Sequence, residues 1–416
     1  MSQKLQPARG TKDILAEEYR LHRYVVEKAH AVAERYGFED IATPIFEFTD
    51  VFKRTLGDTS DIVTKEMYTF ESKGGDMLTL RPEFTAGIAR AVVSNGLTQS
   101  LPLKLFSSGP VFRYERPEKG RFRQFHQINM ELLGVKEPLA DVEMLAMASH
   151  ILEAIGAVGF QLELNSLGDK ESRERYRTTL VGYLQDYKSQ LSEDSQLRLE
   201  RNPLRILDSK DEGDKKIITD APLLGDFYTQ EAADFFAAVK EGLDNLKIGY
   251  RVNPKLVRGL DYYCHTAFEF TTDVFGVSKA VLAGGRYDGL MELMGGPAMP
   301  AIGFAAGIER LAALISVNLQ QPRPVAIVPI GAKAEAKALM LAQQLRHESY
   351  SVELGYSGNV GKRLKRATKA NARVALIFGD DELQQDVVNL RDLDKGEEEK
   401  IPFGRLSDAL SGFNLI

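Results

Sequence analysis

Cysteine is nearly absent from this chain of 416 residues, since Cys264 is the only one. A single cysteine excludes a disulfide within the chain. The six histidines follow no HExxH spacing and form no cluster with cysteine. The sequence therefore predicts neither a structural nor a catalytic zinc site.

Long hydrophobic segments are also absent, because no run of about 18 apolar residues occurs anywhere in the sequence. Residues 1–15 lack the apolar core that a signal peptide needs. These two absences predict a cytoplasmic protein with no membrane partner.

The composition is typical of a soluble globular protein, with 44% hydrophobic and 27% charged residues. The length exceeds what one ordinary core supports, so the sequence predicts two or three domains. The net charge of −6 is mildly repulsive to phosphate. Any contact with nucleic acid must therefore come from local basic patches.

Two alternating segments, Lys104–Glu115 and Gln124–Leu133, flank a turn that contains Pro117 and Gly120. Alternation with aromatic and branched residues predicts an antiparallel hairpin. Guanidinium groups can hold phosphates, and aromatic rings can stack on a base. The tip is thus either a nucleotide site or a solvated, charged turn. Its basic residues are Arg113, Arg116, Lys119, Arg121 and Arg123, interleaved with Phe112, Tyr114, Phe122 and Phe125.

A second candidate site is the segment Arg81-Pro82-Glu83-Phe84-Thr85, at the start of a helix predicted to end at Asn95-Gly96. A carboxylate and a hydroxyl at a helix N-terminus are good caps. Glu83 could equally bind an ammonium group. The sequence alone leaves both interpretations open.

The flanking segments alternate between helix and strand patterns. Glu17–Tyr36 has the apolar spacing of one helical face, and Pro44 places the following strand at an edge or an interface. Asp141–Gly156 is predicted as an amphipathic helix and Phe160–Ser166 as a strand. A charged helical insertion is predicted at about residues 169–250, with Asp208–Lys216 as a polar, mobile connection within it.

The C-terminal part begins after a linker at residues 320–324. Alternating strand and helix patterns predict a small α/β domain with a mixed sheet over residues 325–416. Residues 361–373 contain six basic residues and no acidic one. This segment is either a nucleic-acid patch or a solvated helix, and charge alone favours neither.

Three ordered strings resemble the motifs of class II aminoacyl-tRNA synthetases: the N-terminal helix with GFEDIATPIFE, then FRYERPEKGRFRQFHQ, then AIGFAAGIERL. Two further strings, VRGLDYYCHTAFE and LAGGRYDGL, are similar to the histidine-specific signatures of the histidyl-tRNA synthetase family. The resemblance covers essentially the whole chain. It implies ATP-dependent attachment of histidine to tRNA(His) through a histidyl-adenylate, with ATP and Mg²⁺.

The same resemblance implies an α+β fold. A class II antiparallel sheet flanked by helices would occupy residues 1–320 and carry the helical insertion. An α/β anticodon-binding domain with a mixed sheet would follow at residues 325–416. Motif 1, with Pro44, would form the interface of a homodimer.

Site residues are implied position by position. Histidine binding is implied for Glu83, Thr85, Gln127, Glu131, Arg258, Tyr262 and Tyr263. ATP binding is implied for Arg113, Glu115, Arg121, Phe125 and Arg310, and catalysis for Arg258 and Arg113. Contact with tRNA is implied for Arg116, Arg123, Lys362, Arg363, Lys365 and Arg366.

Three alternatives keep the fold but change the activity. A paralogue serves as the regulatory subunit of ATP phosphoribosyltransferase, and the intact arginines, the tyrosine pair and the domain after Pro324 argue against it. A class II synthetase for threonine, proline or glycine is disfavoured by the string RGLDYY, and threonine also by the missing Cys/His cluster. A stress sensor without activity would need an attached segment that the sequence does not contain.

Overall fold

The computed structural model describes residues 4–57, 60, 62–116, 121–257, 262–274, 279–316, 319, 321–413 and 415. The chain divides into two compact units, a larger one at Met1–Val317 and a smaller one at Asn318–Ile416. Among the described residues, no helix is long and apolar enough to cross a membrane.

The larger unit combines helices and short strands. Its helices are α1 Ala16–Arg35, α2 Thr49–Leu56, α3 Thr85–Ser94, α4 Pro138–Ala154, α5 Lys170–Asp186, α6 Glu193–Arg201, α7 Glu212–Thr219, α8 Gln230–Asn245, α9 Leu290–Leu293 and α10 Ile308–Ala312. Its strands are β1 Glu39–Asp40, β2 Phe46–Phe48, β3 Tyr68–Glu71, β4 Met77–Leu80, β5 Leu103–Phe112, β6 Gln124–Leu133, β7 Phe160–Ser166, β8 Tyr250–Val252, β9 Cys264–Thr272, β10 Lys279–Arg286 and β11 Ala301–Gly307.

The main sheet of the larger unit has, within the described residues, eight strands in the order β1-β5-β6-β11-β10-β9-β7-β8. The six inner strands pair antiparallel, and only the two edge pairs are parallel. This is the antiparallel sheet that the sequence predicts. The predicted hairpin is formed by β5 and β6, and β6 has the predicted bounds.

The main core lies between this sheet and helices α1, α4, α8 and α10. Strand β6 contributes Ile128, Met130 and Leu132 to it, so the residues between them point to the opposite face. Helix α4 is buried on most of its surface rather than amphipathic as predicted, because α1, α8 and the sheet all pack around it.

A buried ion pair joins α4 to the sheet. The guanidinium of Arg286 in β10 donates to both carboxylate oxygens of Asp141, and neither side chain is exposed to solvent. Arg286 also donates to the carbonyl of Val135 and to Asp288. These contacts meet the hydrogen-bonding demand of a fully buried guanidinium.

The helical segment at residues 170–227 has a core of its own. The sequence predicts a polar connection at residues 208–216, whereas the structure places residues 212–216 in a helix. Helix α7 begins there, and the buried Asp214 accepts hydrogen bonds from Ser192, Ser195 and Ser209. Burial raises the pKa of Asp214, but these hydrogen bonds outweigh it and lower the pKa below its ordinary value. The serines thus fix the segment in place.

A small sheet of order β2-β4-β3 has its apolar face turned outward. The register places Phe46, Phe48 and Phe70 on one face, where they are 53%, 58% and 44% exposed. Glu47 and Thr79 on the other face are buried. This orientation reverses the usual rule that apolar residues face inward.

The smaller unit contains helices α11 Ala332–His347, α12 Val360–Lys369, α13 Asp380–Gln384 and α14 Leu406–Ser411, and strands β12 Val325–Pro329, β13 Val352–Leu354, β14 Val374–Phe378, β15 Val387–Asp392 and β16 Glu398–Pro402. Its described sheet has the order β13-β12-β14-β15-β16 and is mixed, as predicted. Helices α11 and α12 pack on opposite faces of it.

The buried ion pair yields a stability prediction. Asp141→Asn removes the negative charge that faces Arg286, and we expect the free energy of unfolding to fall by about 3–5 kcal/mol. Urea unfolding, followed by circular dichroism, measures this change. Glu27→Gln is the control, since it removes the partner of Arg23 in a pair with both side chains 65% exposed, and it should cost less than about 1 kcal/mol. A loss at Asp141 no larger than at Glu27 would contradict the prediction.

Candidate functional site

A cavity of about 290 Å³ lies on the face of the main sheet opposite the main core. Strand β6 directs Phe125, Gln127 and Asn129 toward it. Its walls are formed by the start of α3, the residues of the β5–β6 hairpin next to its tip, Tyr262 and Tyr263, and the start of α10. Most of the residues that the sequence implies for amino-acid and nucleotide binding therefore meet at one place.

Small residues of β11 form the floor of this cavity. The register places Gly303 beside Glu131, Ala305 beside Asn129 and Gly307 beside Gln127. A bulkier strand would fill the space above the sheet, so the string AIGFAAG is explained by the room that it leaves. The polar residues of β6 stand along this floor.

Glu131 is hydrogen-bonded to three residues that line the cavity and is only 1% exposed. Its carboxylate accepts hydrogen bonds from Thr85 Oγ1 at 2.5 Å, from Asn129 Nδ2 at 3.0 Å and from the hydroxyl of Tyr287. A Cβ atom on Gly303 would lie 1.7 Å from Glu131 Oε2. Only glycine leaves room for this carboxylate beside the cavity.

Burial raises the pKa of Glu131 to about 7, although the hydrogen bonds from Thr85, Tyr287 and Asn129 act in the opposite direction. The carboxyl group therefore titrates close to neutral pH. Sequence reasoning did not identify Tyr287 or Asn129 as site residues. The signal for Tyr287 was its place in the string LAGGRYDGL, which was assigned to the family but to no particular contact.

Glu83 makes the contacts that the capping interpretation predicts. Its carboxylate accepts hydrogen bonds from the backbone amides of Thr85 and Ala86 at 2.5 and 2.8 Å. The capping interpretation is thus confirmed for Glu83, while the hydroxyl of Thr85 points to Glu131 instead. Burial raises the pKa of Glu83, and these amides and the charge of Arg113 oppose that shift. Glu83 also lines the cavity.

Two side-chain amides of β6 each place in the cavity a buried oxygen that has no hydrogen-bond partner. These oxygens are Oε1 of Gln127 and Oδ1 of Asn129. Buried acceptors are normally satisfied, so an unsatisfied pair beside a carboxylate suits a ligand that donates hydrogen bonds. An ammonium group is such a ligand.

Three tyrosines form the wall next to these acceptors. The ring centroids of Tyr262 and Tyr263 are 4.6 Å apart, and the ring of Tyr287 is 5.5 Å from that of Tyr262. Burial raises the pKa of Tyr262 well above its ordinary value, and so do the hydroxyl of Tyr263 and the charges of Glu83 and Glu131. Tyr262 therefore keeps its proton and can donate it in a hydrogen bond.

Three arginines line the other end of the cavity. Arg113 Nε donates to the carbonyl of Pro82 at 2.9 Å, and Arg310 Nη1 donates to the carbonyl of Ala280 at 2.8 Å. Burial lowers the pKa of Arg310, and the positive charges of Arg121 and Arg113 act in the same direction. Cations that repel one another in a cavity form a ready site for a polyanion.

Glu115 and Phe125 lie among these arginines. Arg121 Nη1 is 3.1 Å from Glu115 Oε2, yet this buried oxygen accepts no hydrogen bond. The guanidinium of Arg113 lies 5.5 Å from the centre of the Phe125 ring. The site thus offers an unsatisfied acceptor and an aromatic ring, which are the groups that an adenine base needs.

Glu309 is a further residue that the sequence analysis missed. Its carboxylate accepts hydrogen bonds from the backbone amide and Nδ1 of His126 at 2.9–3.1 Å. It thereby fixes the start of α10 against β6 and sets the position of Arg310. With His22 these residues form, among those described, the one group whose ligand atoms lie within 4.8 Å of one another. The bonds to His126 already satisfy Glu309 without a metal ion.

Some predicted residues lie outside the part of the chain that the structure describes, and others lie away from the cavity. Arg258, implied for catalysis, and Pro117, Lys119 and Gly120 of the hairpin tip lie outside the described residues. Arg116 is exposed beyond the cavity. Arg123 stacks on Tyr114, with 3.8 Å between the guanidinium and the ring centre.

The basic helix α12 belongs to the smaller unit. Lys362, Lys365 and Arg366 are exposed there. Arg363 is buried, and its guanidinium donates to the carbonyl of Pro329 and to Glu335. Its predicted role in binding nucleic acid is therefore corrected to a structural one, because its guanidinium is buried and already bonded within the unit.

Two family models match the chain. The model described as histidyl-tRNA synthetase covers residues 10–311. The model described as an anticodon binding domain covers residues 324–412. Together they account for both compact units.

Curated relatives and a solved structure agree with these matches. A histidine–tRNA ligase of Rhodospirillum rubrum is 56% identical over 98% of this chain and 99% of its own. One of Gluconacetobacter diazotrophicus is 53% identical over 98% and 99%. The apo histidyl-tRNA synthetase of S. aureus is 34% identical, with a TM-score of 0.84 over 98% of this chain and 99% of its own.

The environment of Glu131 yields a testable prediction. Tyr287→Phe removes a hydrogen bond that favours the ionised carboxylate, so we expect the pKa of Glu131 to rise above about 7. Carbon-13 NMR of labelled glutamate carboxyl groups, assigned with Glu131→Gln, measures the pKa.

Tyr183→Phe provides the control, because the hydroxyl of Tyr183 donates to the carbonyl of Ile217 in the helical segment. It should leave the titration of Glu131 unchanged. An unchanged or lower pKa in Tyr287→Phe would contradict the assigned hydrogen bond.

Proposed function

The chain belongs to the histidyl-tRNA synthetase family, and from this premise we propose which of its residues carry out the ATP-dependent attachment of histidine to tRNA(His). The reaction has two steps. Histidine and ATP first form histidyl-adenylate and pyrophosphate. The histidyl group is then transferred to the 3′-terminal ribose of the tRNA.

The observation that carries the proposal is the arrangement of one cavity with two chemically different ends. Unsatisfied acceptors and a buried carboxylate occupy one end, and three arginines occupy the other. An amino acid has an ammonium group that needs acceptors, and a triphosphate needs cations. Their reactive groups would meet between the two ends.

Histidine takes the inner end of the cavity in this proposal. Glu83, Gln127 and the neighbouring Thr85 hold its α-ammonium group. Glu131 and Tyr263 contact the imidazole, with Tyr262 beside them. An amino acid without imidazole donors would leave the buried Glu131 unmatched, and such mismatches can lower the reaction rate by roughly 10⁴-fold.

ATP takes the cationic end. Arg113 binds the α-phosphate, Arg310 the γ-phosphate, and Arg121 supports the triphosphate. Glu115 receives the amino group of adenine at its unsatisfied oxygen, and Phe125 stacks on the ring. Glu309 positions Arg310 through its hydrogen bonds to β6.

Catalysis then needs no general base. A carboxylate is already a nucleophile at neutral pH, and it attacks the α-phosphorus in line while pyrophosphate leaves. The cavity contributes positioning and neutralises the charge on the phosphate oxygens. Arg113 does this at the α-phosphate, and Arg258 joins it by its place in the family string.

Magnesium use is general in this family, and the residues present fit it. Arginines rather than paired carboxylates surround the expected position of the triphosphate, so phosphate oxygens and water would supply most ligands of the ion. When bound, magnesium would neutralise further charge on the phosphates.

The smaller unit would bind the anticodon region of tRNA. Its match to an anticodon binding domain and the exposed cations of α12 support this role. Lys362, Lys365 and Arg366 of that helix would contact phosphates, as Arg116 and Arg123 would near the acceptor end. Unchanged tRNA affinity after Lys362→Gln and Lys365→Gln would remove α12 from the proposal. The cytoplasm, where aminoacyl-tRNA is used, is the proposed location.

A homodimer would cover the outward apolar face of the small sheet. Phe46, Phe48 and Phe70 form a continuous exposed patch beside Pro44, and such patches mark interfaces. Analytical ultracentrifugation at micromolar concentration should give twice the mass of one chain. Phe46→Ser with Phe48→Ser should shift it toward the monomer. A wild-type monomer at that concentration would rule out the dimer.

Exchange of pyrophosphate into ATP, measured with each of the twenty amino acids and no tRNA, tests the catalytic proposal. We expect exchange with histidine alone. Arg113→Ala should lower that exchange by about 10²–10³-fold, because one charge-stabilising donor is lost.

Arg23→Ala, which changes an exposed arginine of α1, should leave the exchange unchanged and serves as the control. Exchange with another amino acid would refute the assigned pocket. Wild-type exchange in Arg113→Ala would refute its role.

A further inference from the structure

One exposed aromatic residue stands out in the smaller unit. Tyr356 is 66% exposed, and among the described residues of this unit no other aromatic side chain is classed as exposed. It follows directly after β13, two residues beyond Leu354. The strand itself is only partly buried, so the ring stands in solvent at its end, where a ligand can reach it.

The ring lies at the edge where the parallel strands end. Ile330, 44% exposed, follows β12, and Tyr356 follows the neighbouring β13. Strand β14 continues the parallel set on the other side of β12. In open α/β sheets, ligands bind at this carboxyl edge, next to the strand where the order reverses. Tyr356 lies at this carboxyl edge, at the end of the strand beside β12, while the crevice where the strand order reverses lies between β12 and β14.

The guanidinium of Arg366 packs against one face of the Tyr356 ring. It lies 4.9 Å from the ring centre. Arg366 is itself held by Glu353, which accepts a hydrogen bond from its Nε at 2.6 Å. Because one face of the ring meets Arg366 while the residue stays largely exposed, the other face is open to solvent.

Further cations continue from this ring along α12. Lys362, Arg366 and Lys369 recur at helical spacing, and Lys365 lies beside them on the same exposed face. Within the described part of the chain, none of the three lysines has an acidic partner within 4 Å. The opposite face of α12 is buried through Arg363 and Ala367.

Acidic residues mark the other side of the edge. Asp380 and Asp381 follow β14 at the start of α13. The cations of α12 lie on the β13 side of this edge and these carboxylates on the β14 side. A nucleotide whose phosphates lie along α12 and whose base lies on Tyr356 matches this distribution.

We propose that Tyr356 is a stacking platform for an unpaired nucleobase of the tRNA anticodon loop, with Lys362 and Lys365 binding the adjoining phosphates. The inference rests on the proposed tRNA binding of the smaller unit and adds to it a specific residue and mode of contact. Stacking on an aromatic ring tolerates any base, while the lysines supply the salt-dependent part of the affinity.

The test measures binding of a tRNA(His) transcript to the full chain at several salt concentrations. Tyr356→Ala should weaken binding by about 5- to 150-fold, the range for loss of one stacked base. Its salt dependence should stay unchanged, because no charge is removed. Tyr356→Phe keeps the ring and should bind like the wild type.

Lys362→Gln combined with Lys365→Gln should instead flatten the salt dependence by about one to two phosphate contacts. Two controls match these variants. Met340→Ala removes a 69% exposed apolar side chain from α11 on the other face of the sheet. Lys333→Gln with Lys337→Gln removes the same charge from α11. Both should leave binding unchanged.

An isolated anticodon stem-loop identifies the stacked base. With an abasic nucleotide at the stacked position, Tyr356→Ala should cause no further loss, whereas elsewhere the two losses should multiply. Binding of Tyr356→Ala equal to that of the wild type would overturn the platform. Absence of any tRNA binding by the wild type, or of histidine-dependent exchange, would instead overturn the proposed function.

Discussion

A carboxylate that is cut off from water must be met by hydrogen-bond donors, and Glu131 is met by three that come from separate segments. Thr85 begins α3, Asn129 belongs to β6, and Tyr287 follows β10. Satisfying one buried charge therefore aligns a helix and two strands around a single point. The cavity keeps its shape because moving any of these segments would leave the buried carboxylate without one of its hydrogen-bond donors.

The string GGRYDG extends the same constraint across the sheet. Arg286 turns toward α4 and neutralises Asp141, while the next residue, Tyr287, turns toward Glu131. Two adjacent side chains thus connect two buried carboxylates on opposite sides of the sheet. The string resembles a histidine-specific signature, but its Arg286 has a structural role in the ion pair with Asp141.

Local sequence patterns predicted much of this architecture. The bounds of β6 and β7 and the mixed sheet of the smaller unit follow from alternation and element order, which are written in neighbouring residues. Tyr287, Glu309 and Arg286 were missed because their partners lie 145 to 183 positions away, and no periodicity encodes such pairs. The prediction that Arg363 contacts nucleic acid failed for the same reason. Its charge is evident from the sequence, but its partners in the fold, the carbonyl of Pro329 and Glu335, are not. The sequence likewise does not reveal that Asp214, in a polar stretch, is buried and hydrogen-bonded by three serines.

The need for space beside Glu131 limits which residues the gene can encode at position 303. The space that a methyl group would need there is taken by a carboxylate oxygen of Glu131. Every glycine codon differs from an alanine codon by a single base, so the smallest side chain that one base change can introduce there would collide with the carboxyl group of Glu131. Gly303 is consequently required for its lack of a side chain, because any other residue there would push Glu131 away from its hydrogen-bond donors.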